Sequence, residues 1–105
     1  MSDILNELYD VLLTRKNADA KTSYVASLYD KGTQYICSKV IEEAQEAVDE
    51  ALVGNSELLK SESADLLFHL MVLWVDQGIT PAEVLGVLES RFGTGGHEEK
   101  AARGD

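Results

Sequence analysis

The sequence predicts an all-α protein, a bundle of four to five helices that is completed by dimerisation. Apolar residues recur every three to four positions along most of the 105 residues, which is the period of an amphipathic helix. Glycine and proline fall between these stretches, and no stretch shows the alternation of a strand. The length fits one domain. We expect a catalytic domain over residues 1–92 and a flexible basic C-terminal tail over residues 93–105.

The first half of the chain predicts three helices. Ser2 can cap a helix over about residues 3–16, and residues 17–22 form a polar linker. Ser23 can cap a short helical segment that ends at Gly32. Thr33 then starts a long helix that runs to about Val53.

The second half predicts a turn and two further helices. Residues 54–56 read Gly-Asn-Ser and make the turn, after which a helix runs over about residues 57–77 until Gly78 stops it. Thr80, Pro81 and Glu83 follow in the order of a capping box with a proline in the first turn, so a last helix starts here and ends near Arg91. Three glycines at positions 93, 95 and 96 introduce the tail.

Composition excludes several classes of protein. The net charge of −10 argues against binding to nucleic acid or to an anionic membrane. No apolar run approaches the roughly 20 residues of a membrane span. A single cysteine, Cys37, forbids an intrachain disulfide, and we therefore expect a cytoplasmic protein.

Two pairs of carboxylates carry the strongest indication of function. Glu43 and Glu46 lie on one face of the third helix, and Glu62 and Asp65 lie on one face of the fourth. If the two helices form an antiparallel hairpin about the Gly54 turn, the pairs lie at the same height to within roughly 1.5 Å of helical rise. Mutual repulsion would oppose such a cluster unless a cation sits within it, so we predict a site for Mg²⁺, or for Mn²⁺ in its place.

Each of these features also has a structural explanation. The acids of the third helix alone would be a solvated face, and the four carboxylates together could form an ion-pair network with Lys39. His69, one turn beyond Asp65, is either a hydrogen-bonded core residue or a substrate-facing or supporting group. Cations of the tail could fold over an anionic ligand, or the tail could be a frayed end.

The fourth helix predicts self-association. Its apolar residues wrap most of its circumference, which indicates a helix buried on nearly all sides. The third helix adds an apolar side opposite Lys39, Glu43, Glu46 and Glu50. A chain this short has too few helices to cover the fourth, so we predict a homodimer or a higher homo-oligomer.

Beyond these patterns, the chain resembles a known family. The motif of Glu42, Glu43 and Glu46 followed by Glu62 and Asp65 is similar to that of the all-α nucleoside-triphosphate pyrophosphohydrolases, the MazG-like superfamily. Further elements narrow the resemblance to the phosphoribosyl-ATP pyrophosphatases over nearly the whole chain: Arg15-Lys16, Ser23-Tyr24, Lys31-Gly32, Lys39-Val40, Asp65 to Leu70, Arg91, and Gly96 with Glu99-Lys100-Ala101 and Arg103. Ile41 and Gly95 depart from the family pattern, which commonly has glycine and serine there.

The resemblance implies hydrolysis of phosphoribosyl-ATP to phosphoribosyl-AMP and pyrophosphate, the second step of histidine biosynthesis. It implies metal ligation by Glu43, Glu46, Glu62 and Asp65, with Glu42 as a further ligand or as a group that orients water. The expected substrate-binding residues are Arg15, Lys31, Lys39, His69, Arg91, Lys100 and Arg103. Two other functions stay open: a house-cleaning pyrophosphatase for ordinary or damaged nucleotides, and a non-catalytic, metal-binding helical dimer.

Overall fold

Residues 3–93 fold into five α-helices, in agreement with the all-α fold that the sequence predicts. The structure, a computed structural model, describes residues 3–93, and this part contains no strand. The helices are α1 (Ile4–Thr14), α2 (Tyr24–Lys31), α3 (Thr33–Leu52), α4 (Ser56–Gln77) and α5 (Pro81–Phe92), with a 3₁₀ turn at Arg15–Asn17. The predicted tail, apart from Gly93, lies outside the described residues.

Local side-chain chemistry sets the helix ends. The Ser23 hydroxyl accepts a hydrogen bond from the amide of Ala26 at the start of α2, as predicted. The capping box of α5 is also confirmed: Thr80 Oγ1 accepts from the Glu83 amide at 3.2 Å, and Glu83 Oε1 accepts from the Thr80 amide at 3.0 Å. The choice of Ser2 as the first cap is wrong, because α1 begins one residue later with Asp3 at the N-cap position.

The α3–α4 hairpin is the framework of the fold. Gly54 turns the chain with a φ of +75°, which a residue without Cβ adopts at no steric cost, and the Asn55 side chain caps α4 at the amide of Leu58. At the far end of the hairpin Thr33 donates a hydrogen bond of 2.7 Å to Asp76. These two residues lie almost equally far from the turn along the chain. The pairing about Gly54 therefore has the register that the sequence predicts.

The core lies at the end of the hairpin remote from the turn. Its buried residues come from four helices: Leu12, Leu28, Ile36, Met71, Val72 and Val75. Tyr29 joins this region by donating a hydrogen bond to the Leu12 carbonyl at 3.2 Å, and burial raises the pKa of its hydroxyl to about 12. This packing holds α1 and α2 against one end of α3 and α4.

The orientation of α3 differs from the simplest expectation. The buried residues of α3 are Ile36, Glu43 and Ala47, so the helix presents the border between its apolar and acidic sides to the rest of the chain. Ile41 and Leu52, on the predicted apolar side, remain 70% and 80% exposed. The Glu43 carboxylate therefore lies in the contact between α3 and the rest of the chain, while part of the apolar side of α3 stays uncovered in the single chain.

Among the described residues, no single helix is both long and apolar enough to cross a membrane. Only α4 and α5 taken together reach that length and composition, and a bend of 108° separates them.

Candidate functional site

The hairpin brings the predicted carboxylates together. Oxygen atoms of Glu43, Glu62 and Asp65 all lie within 4.8 Å of one another. Glu46, one turn beyond Glu43 on α3, lies beside both Glu43 and Glu62, close enough to share a hydrogen with either. The register of the hairpin alone places these four groups, which we call the carboxylate cluster, at one height.

Two oxygens of the carboxylate cluster are buried without a partner. Glu43 is only 8% exposed, and neither its Oε2 atom nor the Oε2 atom of Glu62 has a hydrogen-bond donor within the described structure. A buried carboxylate oxygen normally receives a hydrogen bond, a cation or a metal ion, because leaving it bare costs free energy. The two atoms therefore mark a position where a positively charged group belongs.

The pKa values of Glu43 and Glu62 are raised because the carboxylates of the cluster lie close together and partly out of water. A hydrogen bond shared with Glu46, loss of hydration and the charges of Glu46, Asp65 and Glu43 together raise the pKa of Glu62 to about 7. Burial, followed by the same type of contact with Glu46, raises the pKa of Glu43. Both shifts mean that in the absence of a cation the cluster holds protons at a pH where isolated carboxyls are ionised.

The donor set suits a hard divalent cation. It consists of carboxylate oxygens alone, which Mg²⁺ and Mn²⁺ favour over the nitrogen and sulfur ligands that zinc prefers. Two helices with their own hydrogen-bonded backbones carry these oxygens. The described residues thus fit a metal ion at the position that the unpaired oxygens mark.

Lys39 lies at the edge of the carboxylate cluster. Its ammonium group is 2.6 Å from Glu42 Oε2 and 4.0 Å from Glu43 Oε1. The hydrogen bond to Glu42 raises the pKa of Lys39, so the lysine stays charged. Glu42 is half-exposed and stands apart from the cluster, in agreement with its helical angle. One lysine shared in this way does not neutralise four carboxylates, so the ion-pair alternative leaves the cluster uncompensated.

His69 is buried and bonded on both sides of its ring. Its Nδ1 atom lies 2.8 Å from the backbone carbonyl oxygen of Asp65, and its Nε2 atom lies 2.9 Å from the hydroxyl of Tyr24. The rings of Phe68 and Tyr24 contact it edge to face. The structure places His69 next to the cluster, but with no ring nitrogen free for a ligand.

Of the other predicted substrate-binding residues, three lie in the described part of the chain and form no ion pair with the carboxylate cluster, and two lie outside it. Lys31, at the end of α2, sits over the ring of Tyr35 with its ammonium group 4.5 Å from the ring centre. Arg15 lies in the 3₁₀ turn and Arg91 in the last turn of α5, both exposed and in none of the ion pairs of residues 3–93. Lys100 and Arg103 fall outside the described residues.

A surface cavity between the 3₁₀ turn and α2 contains none of the predicted site residues. It has a volume of about 260 Å³, and Lys16, Tyr29, Asp30 and three alanines line it. It is therefore separate from the chemistry of the carboxylate cluster.

Reasoning from residue types overlooked Tyr24. Its hydroxyl reaches from α2 to His69 on α4, and its electrostatic neighbours are Lys39, Tyr35, Glu43 and Glu42. A lone tyrosine at the start of a short helix has no spacing that ties it to residues 45 positions away. Its place in the resemblance, next to Ser23, was the only indication available.

Comparisons with known proteins show the family of this chain. The family model described as phosphoribosyl-ATP pyrophosphohydrolase matches residues 5–92. A curated protein named phosphoribosyl-ATP pyrophosphatase from Azospirillum brasilense is 52% identical over 100 residues, covering 95% of this chain and 90% of that protein. Proteins of the same name are 48% identical in Rhodospirillum rubrum, covering 96% of this chain and 86% of that protein, and 48% identical in Geobacter sulfurreducens, covering 98% and 95%.

Proposed function

The chain belongs to the phosphoribosyl-ATP pyrophosphohydrolase family, and we propose that it hydrolyses phosphoribosyl-ATP to phosphoribosyl-AMP and pyrophosphate, the second step of histidine biosynthesis. One structural observation carries the proposal most directly. The carboxylate cluster presents two buried, unpaired oxygens in a chain that matches this family from residue 5 to residue 92. The predicted cytoplasmic location goes with this proposal and suits the single cysteine.

The ligands that we propose for Mg²⁺, or for Mn²⁺ in its place, are Glu43, Glu46, Glu62 and Asp65. When bound, such an ion supplies charge neutralisation for the phosphates and makes a water molecule a better nucleophile. The carboxylates must give up their protons to take this role, since a protonated acid is a poor ligand. The raised pKa of Glu62 therefore predicts that binding of the ion releases a proton near neutral pH.

The reaction requires the remaining residues to neutralise the charge of the phosphates and to orient the attacking water. Water adds to one of the two phosphorus atoms and the anhydride bond between the α- and β-phosphates breaks. The water oxygen stays on the phosphorus that is attacked, and the former bridging oxygen leaves with the other product. Lys39 stands beside the cluster with its charge intact, and we assign it a contact to the phosphates. Glu42 holds the Lys39 ammonium group in place and is the candidate for orienting water.

The more distant cations complete the proposal. We assign phosphate contacts to Lys31 and to Arg15, Arg91, Lys100 and Arg103, following the family resemblance. Their positive charge compensates a substrate with several phosphates in a chain whose net charge is −10. His69 borders the site next to Asp65.

We further propose that the enzyme is a homodimer or a higher homo-oligomer. The support is the uncovered apolar surface on the two central helices, where Ile41, Val48 and Leu52 of α3 and Leu58 and Leu67 of α4 are all exposed in the single chain. A monomeric domain rarely leaves so many large apolar side chains in water. A second copy would cover them with helices of the same kind.

The decisive experiment compares substrates and metals in one assay. We expect pyrophosphate release from phosphoribosyl-ATP in the presence of Mg²⁺ and much slower release from ATP or other ordinary triphosphates. Equal rates with all triphosphates would favour the house-cleaning alternative. No release from any of them, despite intact folding, would favour a non-catalytic role.

Matched variants on α4 locate the chemistry. Glu62→Gln should lower kcat by orders of magnitude, because it removes one charged ligand from the cluster. Glu57→Gln is the control, since this acid lies on the same helix but is exposed and, within residues 3–93, pairs only with Lys60. Chelation should abolish activity while circular dichroism stays largely helical, since each helix has its own apolar contacts. Equal activity of both variants would contradict the assignment of the metal site.

A further inference from the structure

A pair of hydrogen bonds joins α2 to the metal-binding turn of α4. Tyr24 Oη and His69 Nε2 are 2.9 Å apart, and His69 Nδ1 is 2.8 Å from the Asp65 carbonyl oxygen. The first of these is the one hydrogen bond between α2 and α4 in the described part of the chain. The link therefore ties the start of a short helix to a residue one turn from Asp65.

The chemistry of the partners fixes the direction of the bond to Asp65, and in the neutral ring this also sets the direction of the bond to Tyr24. A carbonyl oxygen can only accept, so His69 Nδ1 must carry the hydrogen that it donates to Asp65. In the neutral ring Nε2 then has a lone pair, and the Tyr24 hydroxyl donates to it. The phenol hydrogen is thus directed towards the protein interior, and the lone pairs of the phenol oxygen point away from His69.

The surroundings of Tyr24 differ from those of His69. His69 is 6% exposed and surrounded by aromatic rings, whereas Tyr24 is 54% exposed. Lys39, Glu42 and Glu43 are near enough to the Tyr24 hydroxyl to perturb its acidity, although burial has the largest effect and leaves its pKa raised. Tyr24 therefore lies where the carboxylate cluster meets solvent, and His69 lies behind it.

We propose that Tyr24 is the side chain that contacts the substrate at this edge of the site, and that His69 is a positioning residue that acts only through Tyr24. This inference rests on the proposed function. Because its hydrogen is committed to His69, the Tyr24 oxygen accepts rather than donates. The group that it recognises is a hydrogen-bond donor: a hydroxyl or amino group of the nucleotide, or a water molecule next to the phosphates.

A double-mutant cycle tests the proposal. Tyr24→Phe keeps the ring and removes the hydroxyl, and His69→Leu removes both ring hydrogen bonds within a similar volume. We expect Tyr24→Phe to lower kcat/KM by about five- to tenfold, the usual effect of one lost hydrogen bond. His69→Leu should have the same or a smaller effect, and the double variant should equal Tyr24→Phe, because His69 has nothing left to position.

Tyr29→Phe is the matched control. Tyr29 lies on the same helix and also donates a hydrogen bond to another helix, at the Leu12 carbonyl, but it is remote from the carboxylate cluster. Its variant should change thermal stability about as much as Tyr24→Phe does and leave kcat/KM unchanged. A merely structural role for Tyr24 predicts instead that the two variants behave alike in both measurements.

Nuclear magnetic resonance gives a readout that does not require turnover. Long-range ¹H–¹⁵N correlation should show His69 as the Nδ1–H tautomer. The Tyr24→Phe substitution should shift the Nε2 resonance of His69. The chain has two histidines, so the spectrum of His69→Leu assigns the signals by difference. An Nε2–H tautomer, or an Nε2 resonance that ignores Tyr24→Phe, would overturn the proposal.

Three kinetic results would also overturn it: unchanged kcat/KM in Tyr24→Phe, a larger loss in His69→Leu than in Tyr24→Phe, or losses that multiply in the double variant. The wild-type protein serves as the reference for the proposed function. If it does not hydrolyse phosphoribosyl-ATP, that function fails, whereas the tautomer measurement still decides the Tyr24–His69 geometry. If it does and Tyr24→Phe is fully active, only the present inference fails.

Discussion

Glu43→Gln should make the metal-free protein more stable while it abolishes activity. Glu43 is the buried member of the carboxylate cluster, and one of its oxygens has no partner. Glutamine has nearly the same shape, carries no charge and offers an amide hydrogen to neighbouring carboxylates. The substitution therefore removes repulsion without leaving a cavity.

The size of the effect follows from the distances. Two unit charges 4.8 Å apart repel by about 1 kcal/mol in water and about 3.5 kcal/mol at an effective dielectric constant of about 20. Glu62 and Asp65 lie within this distance of Glu43, Glu46 is a third acidic neighbour, and the Lys39 ammonium group at 4.0 Å offsets about one of them. The net gain is thus at least about 1–3 kcal/mol, which for a domain of this size corresponds to about 4–12 °C in Tm.

Thermal unfolding in chelator at pH 8 and fixed protein concentration measures this gain, since the carboxyls are then largely ionised. Glu42→Gln is the control, because it removes only a surface ion pair and should leave Tm unchanged or slightly lower. Adding Mn²⁺ should raise Tm of the wild type more than that of Glu43→Gln. A lower Tm for metal-free Glu43→Gln would refute the reasoning, since it would mean that the Glu43 carboxylate is already well compensated.

Three further predictions follow from the charges and surfaces. The raised pKa values of Glu43 and Glu62 mean that the native state holds extra protons, so the stability that these protons contribute to the chelated protein should be complete below about pH 4.5 and should fall as the pH rises, for Glu62 through about 7; urea unfolding across this range checks the sign. Ile41→Glu should shift the protein towards monomer in sedimentation, whereas a wild type that is already monomeric at low micromolar concentration would contradict the dimer. Truncation after Gly93 should leave Tm almost unchanged but lower kcat/KM, most strongly at low salt, because it removes Lys100 and Arg103; normal turnover at every salt concentration would show that the tail has no part in binding.

The sequence was sufficient to predict that the carboxylates lie together, because only two quantities decide this: the height of each residue along its helix and the face of the helix on which it lies. A single strong turn at Gly54 fixes the register of the hairpin, and the i, i+3 spacing fixes the face of each pair. The hydrogen bond between Thr33 and Asp76 shows the same register at the opposite end. Position along and around a helix can thus be deduced without any knowledge of tertiary packing.

The rotation of α3 about its axis and the contact between Tyr24 and His69 could not be deduced in this way. The apolar arc of α3 is wide, and several rotations of the helix would bury part of it; the structure selects the rotation that brings Glu43 into the contact and leaves Ile41 outside. The role of Tyr24 was not predicted for a related reason, because its hydrogen bond with His69 depends on how α2 lies across α4. Both details depend on long-range packing, which residue spacing does not encode.

The position of the core explains how the fold tolerates a repelling cluster. The fully buried apolar residues, among them Ile36 on α3 and Val72 on α4, lie towards the end of the hairpin that is remote from the turn. The turn at Gly54 closes the other end, and the cluster lies between the two. Packing at one end and the covalent turn at the other hold α3 and α4 together across a segment where their charges oppose association. The fold thus holds the four carboxylates close together without a cation, and the metal ion that we propose would gain the repulsion energy that it relieves.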